Sequence, residues 1–199
     1  MEINFGDIQI SINRPETELD SFVKDFIGVL DRSKVRYVIV SGYVSILFGR
    51  SRNSEDVDIF IERLDTEHFD RLWTTITSKF DSIITDDRKD AFDNYLGNGL
   101  SVRFARKNAI IPNMEVRFPK SSLDRWALSN ALTASLNGFP LKISPLELQI
   151  AYKLYLGSDK DFEDARHLWL VSKEHLNGKT LKEFVKLLKQ EKNAAKWLT

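Results

Sequence analysis

Residues 37–61 read YVIVSGYVSILFGRSRNSEDVDIFI, and the reading of this stretch decides the rest. Tyr37 to Val40 is an apolar run of the kind that forms a buried strand. Ser41 and Gly42 break it. Val44 to Phe48 fits a short helix ending at Gly49, a residue type suited to a helix C-terminus. A basic, polar loop follows, with Arg50, Ser51, Arg52, Asn53 and Ser54. Asp56 to Ile61 then predicts a second strand. Side chains alternate on a strand, so Asp56 and Asp58 share one face while Val57 and Ile59 share the other.

Two carboxylates close together on one strand face repel and raise each other's pKa. A hard cation such as Mg²⁺ relieves that conflict, because it prefers oxygen ligands. Two such ions are suited to in-line attack at phosphorus. The loop before the strand offers what a polyphosphate needs: backbone N–H groups near Ser41 and Gly42, hydroxyls, and arginines. A D-x-D pair alone is commonly a solvated strand end. The order strand, Ser-Gly, helix, basic loop, D-x-D is far more specific.

These residues resemble the nucleotidyltransferase fold of the DNA polymerase beta superfamily. Its signature is a strand, an h-G-[GS] turn, a short helix, and Dh[DE]h on the next strand. Asp56-Val57-Asp58-Ile59 matches the second half, and Ser41-Gly42 stands where Gly-Gly or Gly-Ser is usual. The resemblance implies a mixed α/β sheet flanked by helices. It also implies a transferase that moves a nucleoside monophosphate from an NTP to a hydroxyl and releases pyrophosphate. Ser41, Gly42, Arg52 and Ser54 would seat the phosphates. Asp56 and Asp58 would hold two Mg²⁺ ions together with a third carboxylate from a later strand. Glu115, one acid in the alternating segment Met114 to Phe118, is the candidate. Glu115 reads equally well as a strand acid paired with Arg103 or Arg117.

The chain has 199 residues, a formal net charge of +0 and no cysteine. That excludes disulfides and thiolate metal sites, and gives no global field for nucleic acid. No apolar stretch is long enough for a bilayer and no signal peptide is visible, so a cytoplasmic location is expected. Two regions are expected: an α/β core over 1–143 and a C-terminal helical region over 144–199 packed on it.

Around the central stretch, residues 1–12 alternate loosely, as an edge strand or arm would. A helix is predicted from about Pro15 to Ser33, and another after a Thr66 cap, with Phe69, Leu72, Trp73 and Ile76 as its stripe. The acidic segment Phe80 to Asn98 reads as a loop with one short helix. Leu100 to Phe104 and Met114 to Phe118 alternate as strands. A short helix capped by Ser121 or Ser122 follows. Leu132 to Ile143 reads as a hairpin around Asn137-Gly138. Ser144-Pro145 looks like a clean helix start.

From Ile143 to Leu170 the chain reads ISPLELQIAYKLYLGSDKDFEDARHLWL. Gly157 separates two helices, and Asp161 and Asp164 share a face of the second. Ion pairs between the two helices account for these residues on their own. The stretch also resembles the AbiEii-like nucleotidyltransferases, which include toxins of toxin–antitoxin pairs. These carry a lysine on one helix and a [KR]-D-x-x-D pattern on the next. The resemblance implies that Lys153 touches the nucleotide triphosphate. Asp161 would orient Lys153 or assist the attacking hydroxyl, and Asp164 would support it. It also implies an antitoxin partner. The tail after Lys173 is helical and lysine-rich, with Thr180 as a cap, and offers a surface for RNA phosphates. A non-catalytic module that binds nucleotide or a partner is the alternative function.

Overall fold

The computed structural model describes residues 1–6 and 8–199 of the chain. Alternating segments among them become β1 (Glu2–Phe5), β2 (Ile10–Asn13), β3 (Tyr37–Ile39), β4 (Asp56–Ile61), β5 (Phe80–Ser82), β6 (Val102–Arg106), β7 (Asn113–Arg117), β8 (Leu132–Leu136) and β9 (Phe139–Ile143). They form one sheet in the order β1-β2-β8-β9-β3-β4-β7-β6-β5. The two strands of the deciding stretch, β3 and β4, are antiparallel neighbours at its centre. β9 pairs parallel with β3, and β7 pairs parallel with β4. Parallel neighbours require a long crossover. The one from β4 to β7 carries α3 (Thr66–Thr77), β5, a helical turn α4 (Arg88–Asp90) that widens into a π-helical stretch at Ala91–Leu96, and β6.

The two faces of the sheet's β4 half differ in chemistry. Val57, Ile59 and Ile61 of β4, Met114 and Val116 of β7, and Val102 and Phe104 of β6 are buried on one face. There α1 (Glu18–Arg32) and α3 pack on them: Phe104 meets Phe26 at 5.8 Å and Trp73 at 5.6 Å between ring centroids. The other face carries the alternate residues. Register sets Asp58 beside Glu115, Glu115 beside Arg103, and Phe60 beside Arg117. Strand period alone puts this polar stripe on the face away from α1 and α3.

The remaining helices are α2 (Gly42–Leu47), α5 (Ser122–Ser129), α6 (Leu146–Leu156), α7 (Asp159–Ser172), α8 (Gly178–Leu187) and α9 (Glu191–Trp197). Gly157 closes α6 in the left-handed conformation, φ 74°, which glycine adopts without strain. α8 packs on α5 through Phe184 against Trp126, with centroids 4.8 Å apart. Its lysines Lys182 and Lys186 are exposed.

Several caps differ from the sequence reading. α1 starts after Thr17, which forms a capping box with Asp20, so Pro15 lies outside the helix. Asp65 rather than Thr66 caps α3, and Asn177 rather than Thr180 caps α8. In each case an Asx or Thr side chain upstream reaches the free N–H groups first. Ser144 caps nothing; its hydroxyl donates to the Pro145 carbonyl, and α6 begins without a side-chain cap. The segment expected as a loop over 80–98 contains β5 and the π-helical stretch, anchored by the buried Phe80, Ala91 and Leu96.

Candidate active site

The site begins where β3 ends. The Val40 N–H donates to the Asp58 carbonyl at 3.0 Å, which sets the Ser41 turn against the D-x-D strand. Ser41 holds φ 63°, ψ −134°, a region that side chains other than glycine rarely adopt. Something must hold it there. Gln149, buried on α6, pairs with its backbone from both sides. The side-chain amide donates to the Ser41 carbonyl at 2.8 Å, and its oxygen accepts from the Ser41 N–H at 3.2 Å. No motif pointed to Gln149. A glutamine among apolar helix residues is its only signal in the sequence, and its burial is seen only in the fold.

Gly42 follows, and its missing Cβ matters. A Cβ there would come within 3.0–3.1 Å of the Arg52 guanidinium, a tight contact. Arg52 Nη1 donates to Asp164 Oδ2 at 2.5 Å, and Arg50 pairs with Asp164 and Glu163. Asp164 is completely buried. Lys153, only 3% exposed, bonds Asp161 Oδ1 at 2.7 Å and Asp164 Oδ2 at 2.9 Å. The expected partners Lys153, Asp161 and Asp164 therefore meet, joined by Arg50 and Arg52 from the basic loop. Burial works to raise the Asp161 pKa, yet the Lys153 ammonium and the Ser158 hydroxyl hold it below the usual carboxylate range.

The D-x-D carboxylates are less settled. Asp56 is exposed at the strand start, with the Ser54 hydroxyl 3.3 Å from its Oδ1. Asp58 is partly covered, and its nearest cationic neighbour is Arg117 Nη2 at 3.7 Å, too far for a hydrogen bond. Burial pushes the Asp58 carboxyl up. Arg117 works against the shift, and Glu115 and Asp56 add to it. Glu115 stands in register beside Asp58, but Arg103 takes its carboxylate at 2.7 Å. Of the two open readings of Glu115, the pair with Arg103 is the observed one. Among the described residues, no three His, Cys, Asp or Glu side chains converge closely enough to hold a metal ion.

Asp58 and Ser41 also floor a cleft of about 420 Å³. Its walls include Phe60, Arg117, Leu148 and Tyr152. The loop residues Arg52 and Ser54 lie outside it, on the Asp164 and Asp56 sides of the D-x-D strand. No described helix is long and apolar enough to cross a membrane.

No protein-family model and no curated protein matches the chain. Solved structures do. An antigenic nucleotidyltransferase-like protein from Paracoccidioides brasiliensis aligns with TM-score 0.57 at 18% identity, over 91% of this chain and 92% of that one. The antibiotic-resistance factor ANT(2'')-Ia in solution aligns with TM-score 0.54 at 11% identity, over 88% of this chain and 94% of its own. The crystal structure of ANT(2'')-Ia in complex with adenylyl-2''-tobramycin gives TM-score 0.53 at 12% identity, over 87% and 98%.

Proposed function

We infer that this chain, which has the nucleotidyltransferase fold, moves a nucleoside monophosphate from an NTP to a hydroxyl acceptor and releases pyrophosphate. The observation that carries the reading is Asp58. It is a partly buried carboxylate beside a second acid, without a bonded cation, at the foot of a turn held in a strained shape. Unpaired buried charge is costly and persists where a ligand resolves it. ANT(2'')-Ia, captured with an adenylylated small molecule, adds support from the fold.

Asp56 and Asp58 fit one Mg²⁺: both present oxygen donors on one strand face, and neither is spent on a bonded base. Glu115 does not fit as a third ligand while Arg103 holds it. A second ion would take its oxygen donors mostly from the triphosphate. Bound there, Mg²⁺ would supply charge neutralisation at the phosphates. The chain's own residues position the reaction. Gln149 fixes the Ser41 peptide, Gly42 lets Arg52 approach the turn, and Asp164 fixes Arg50 and Arg52 beside it. Ser54 orients Asp56. Lys153 is enclosed, so it acts through Asp164 on the arginines.

In the transfer, the acceptor oxygen forms a bond to the α-phosphorus as the bond to the pyrophosphate oxygen breaks. The hydroxyl proton passes to a carboxylate oxygen of the Asp56–Asp58 pair.

Calorimetric titration with each of the four NTPs, with and without Mg²⁺, tests this. Binding of at least one NTP should depend on Mg²⁺ and disappear in Asp58→Ala. No binding by any NTP, or equal binding by Asp58→Ala, would sink the reading. The Arg103–Glu115 pair favours a second reading, a module that binds nucleotide without transfer. Nucleotide binding with no pyrophosphate released in the presence of cell extract would select it. The toxin role rests on the sequence resemblance, and arrest of growth on expression of the chain alone is its test.

A further inference from the structure

The cleft beside Asp58 has a chemistry of its own. About 420 Å³ is small-molecule scale. Its walls are mainly apolar, from Phe60, Leu148 and Tyr152, and the ionisable groups that interrupt them are Asp58, Asp124, Arg117 and Lys120.

Those four groups differ in how their charge is used. The Asp124 carboxylate accepts from the N–H groups of Lys120 at 2.9 Å and Ser121 at 3.0 Å, both on Oδ2, as part of the capping box of α5. The Lys120 side chain is exposed, and its ammonium makes no hydrogen bond or ion pair among the described residues. Arg117 is the unusual one. Its guanidinium carbon lies 4.9 Å from the Phe60 ring centroid, a cation–π contact. Its Nε is buried with no hydrogen-bond partner. Its nearest carboxylate, on Asp58, is 3.7 Å away. A guanidinium offers five N–H donors in a rigid fork that matches a carboxylate or a phosphate. Leaving such a donor without a partner is costly, and an anion on the fork would give the guanidinium the partner it lacks.

We propose that this cleft is the acceptor site, and that it takes a small hydroxyl compound with an apolar or aromatic body and one anionic group, held by Arg117 with help from Lys120. The assignment as acceptor rests on the transfer reading above. The anion is a carboxylate or a phosphate. A cationic acceptor would face both Arg117 and Lys120, while of the two acids Asp124 has one oxygen engaged in its helix cap and Asp58 belongs to the reaction. The cleft is thus built for the charge opposite to that of an amine-rich sugar such as tobramycin. Tyr152 supplies the flat wall against which an aromatic body would lie.

The test uses three probes of similar size: 3-(4-hydroxyphenyl)propanoate, phenyl phosphate and tyramine. Each is titrated by NMR into the full chain, wild type, Arg117→Gln, Arg117→Lys and Lys120→Gln. Thermal melts check that each variant is folded. The anions should bind at least about tenfold more tightly than tyramine, in keeping with charge-assisted bidentate pairing. Arg117→Gln should erase that preference and Arg117→Lys should keep part of it. If Arg117→Gln fails to fold, Lys120→Gln still reports, with a smaller loss. The ratio between the two anions identifies which one the site prefers. Equal or tighter binding of tyramine, no detectable anion binding, or an unchanged preference in Arg117→Gln would overturn the proposal.

A parallel titration with Mg²⁺·ATP separates the two readings. Loss of Mg²⁺·ATP binding in Arg117→Gln together with the probes would place Arg117 in the donor site; the acceptor proposal then falls and the transfer reading stands. Anion binding in a wild-type protein that binds no nucleotide would end the transfer reading and, with it, the acceptor assignment.

Discussion

Two groups of charges lie on either side of the Ser41–Gly42 turn, and they are treated in opposite ways. Around Asp164 every charge is answered: Arg50, Arg52 and Lys153 share one enclosed carboxylate, with Asp161 and Glu163 completing the set. Around Asp58 the charges are close but not bonded, with Arg117 at 3.7 Å. Burial runs the same way: Asp164 is fully enclosed, whereas Asp58 is only partly covered and Asp56 is exposed, so an unmet charge costs less there. The difference separates what holds the loop in place from what is left open to a ligand.

Removing the closed side should have the largest effect. Asp164→Ala leaves the enclosed Arg52 without a partner and takes one of two from Arg50 and Lys153, and should lower stability by about 3–5 kcal/mol. For a chain of this size, that is a fall in Tm on the order of 10 °C. A loss under about 1 kcal/mol would mean that the cluster is wetter than it looks and that the contrast is false.

Gln149→Leu cuts the link between α6 and the turn. It leaves the Ser41 peptide without its two side-chain partners and should cost about 1–3 kcal/mol in urea unfolding. Nucleotide affinity should fall along with it if the turn seats phosphates. Ser41→Gly acts the other way. It relieves the strain of a positive φ and should gain about 1 kcal/mol, provided the hydroxyl beside Asp58 contributes little to folding. A destabilised Ser41→Gly would show that the serine is kept for its side chain.

The smallest effect is a pH dependence. The folded-state pKa of Asp161 is lowered, so its stabilisation is present above the unfolded value and is lost as pH falls through the folded one. The Tm gap between wild type and Asp161→Asn should therefore be steady at neutral pH and close below about pH 4. Asp58 should behave in the opposite sense. Its raised pKa means that ionisation costs stability as pH rises, so Asp58→Asn should gain on wild type over that rise.

Much of this was legible before any coordinates. The alternation of Asp56 to Ile61 gave both the strand and the face that its acids occupy, because a period of two leaves no choice. Asp161 and Asp164 group by helix spacing, and Lys153 joins them as an ion-pair partner from the preceding helix and through the resemblance. Three things were not legible. Glu115 could be placed on a strand, but its pairing with Arg103 depends on which strand lies next to it. Gln149 acts across 108 residues, through a backbone shape that no residue type announces. Arg117 read as a partner for Glu115, and only the pairing of β4 with β7 turns it toward Phe60 and the cleft.

The place of β9 has a consequence for how the molecule comes into being. β3 is flanked by β4 on one side and by β9, a hundred residues later in the chain, on the other. During synthesis the central strand must therefore wait with one row of hydrogen-bonding groups unfilled, and the arginines of the loop wait longer still for Asp164. A nascent chain in that state offers an adhesive border to its neighbours on a polysome. The Ser41–Gly42 turn is written early and its supports arrive late, so a chain halted between the two halves would be more prone to aggregate than to fold.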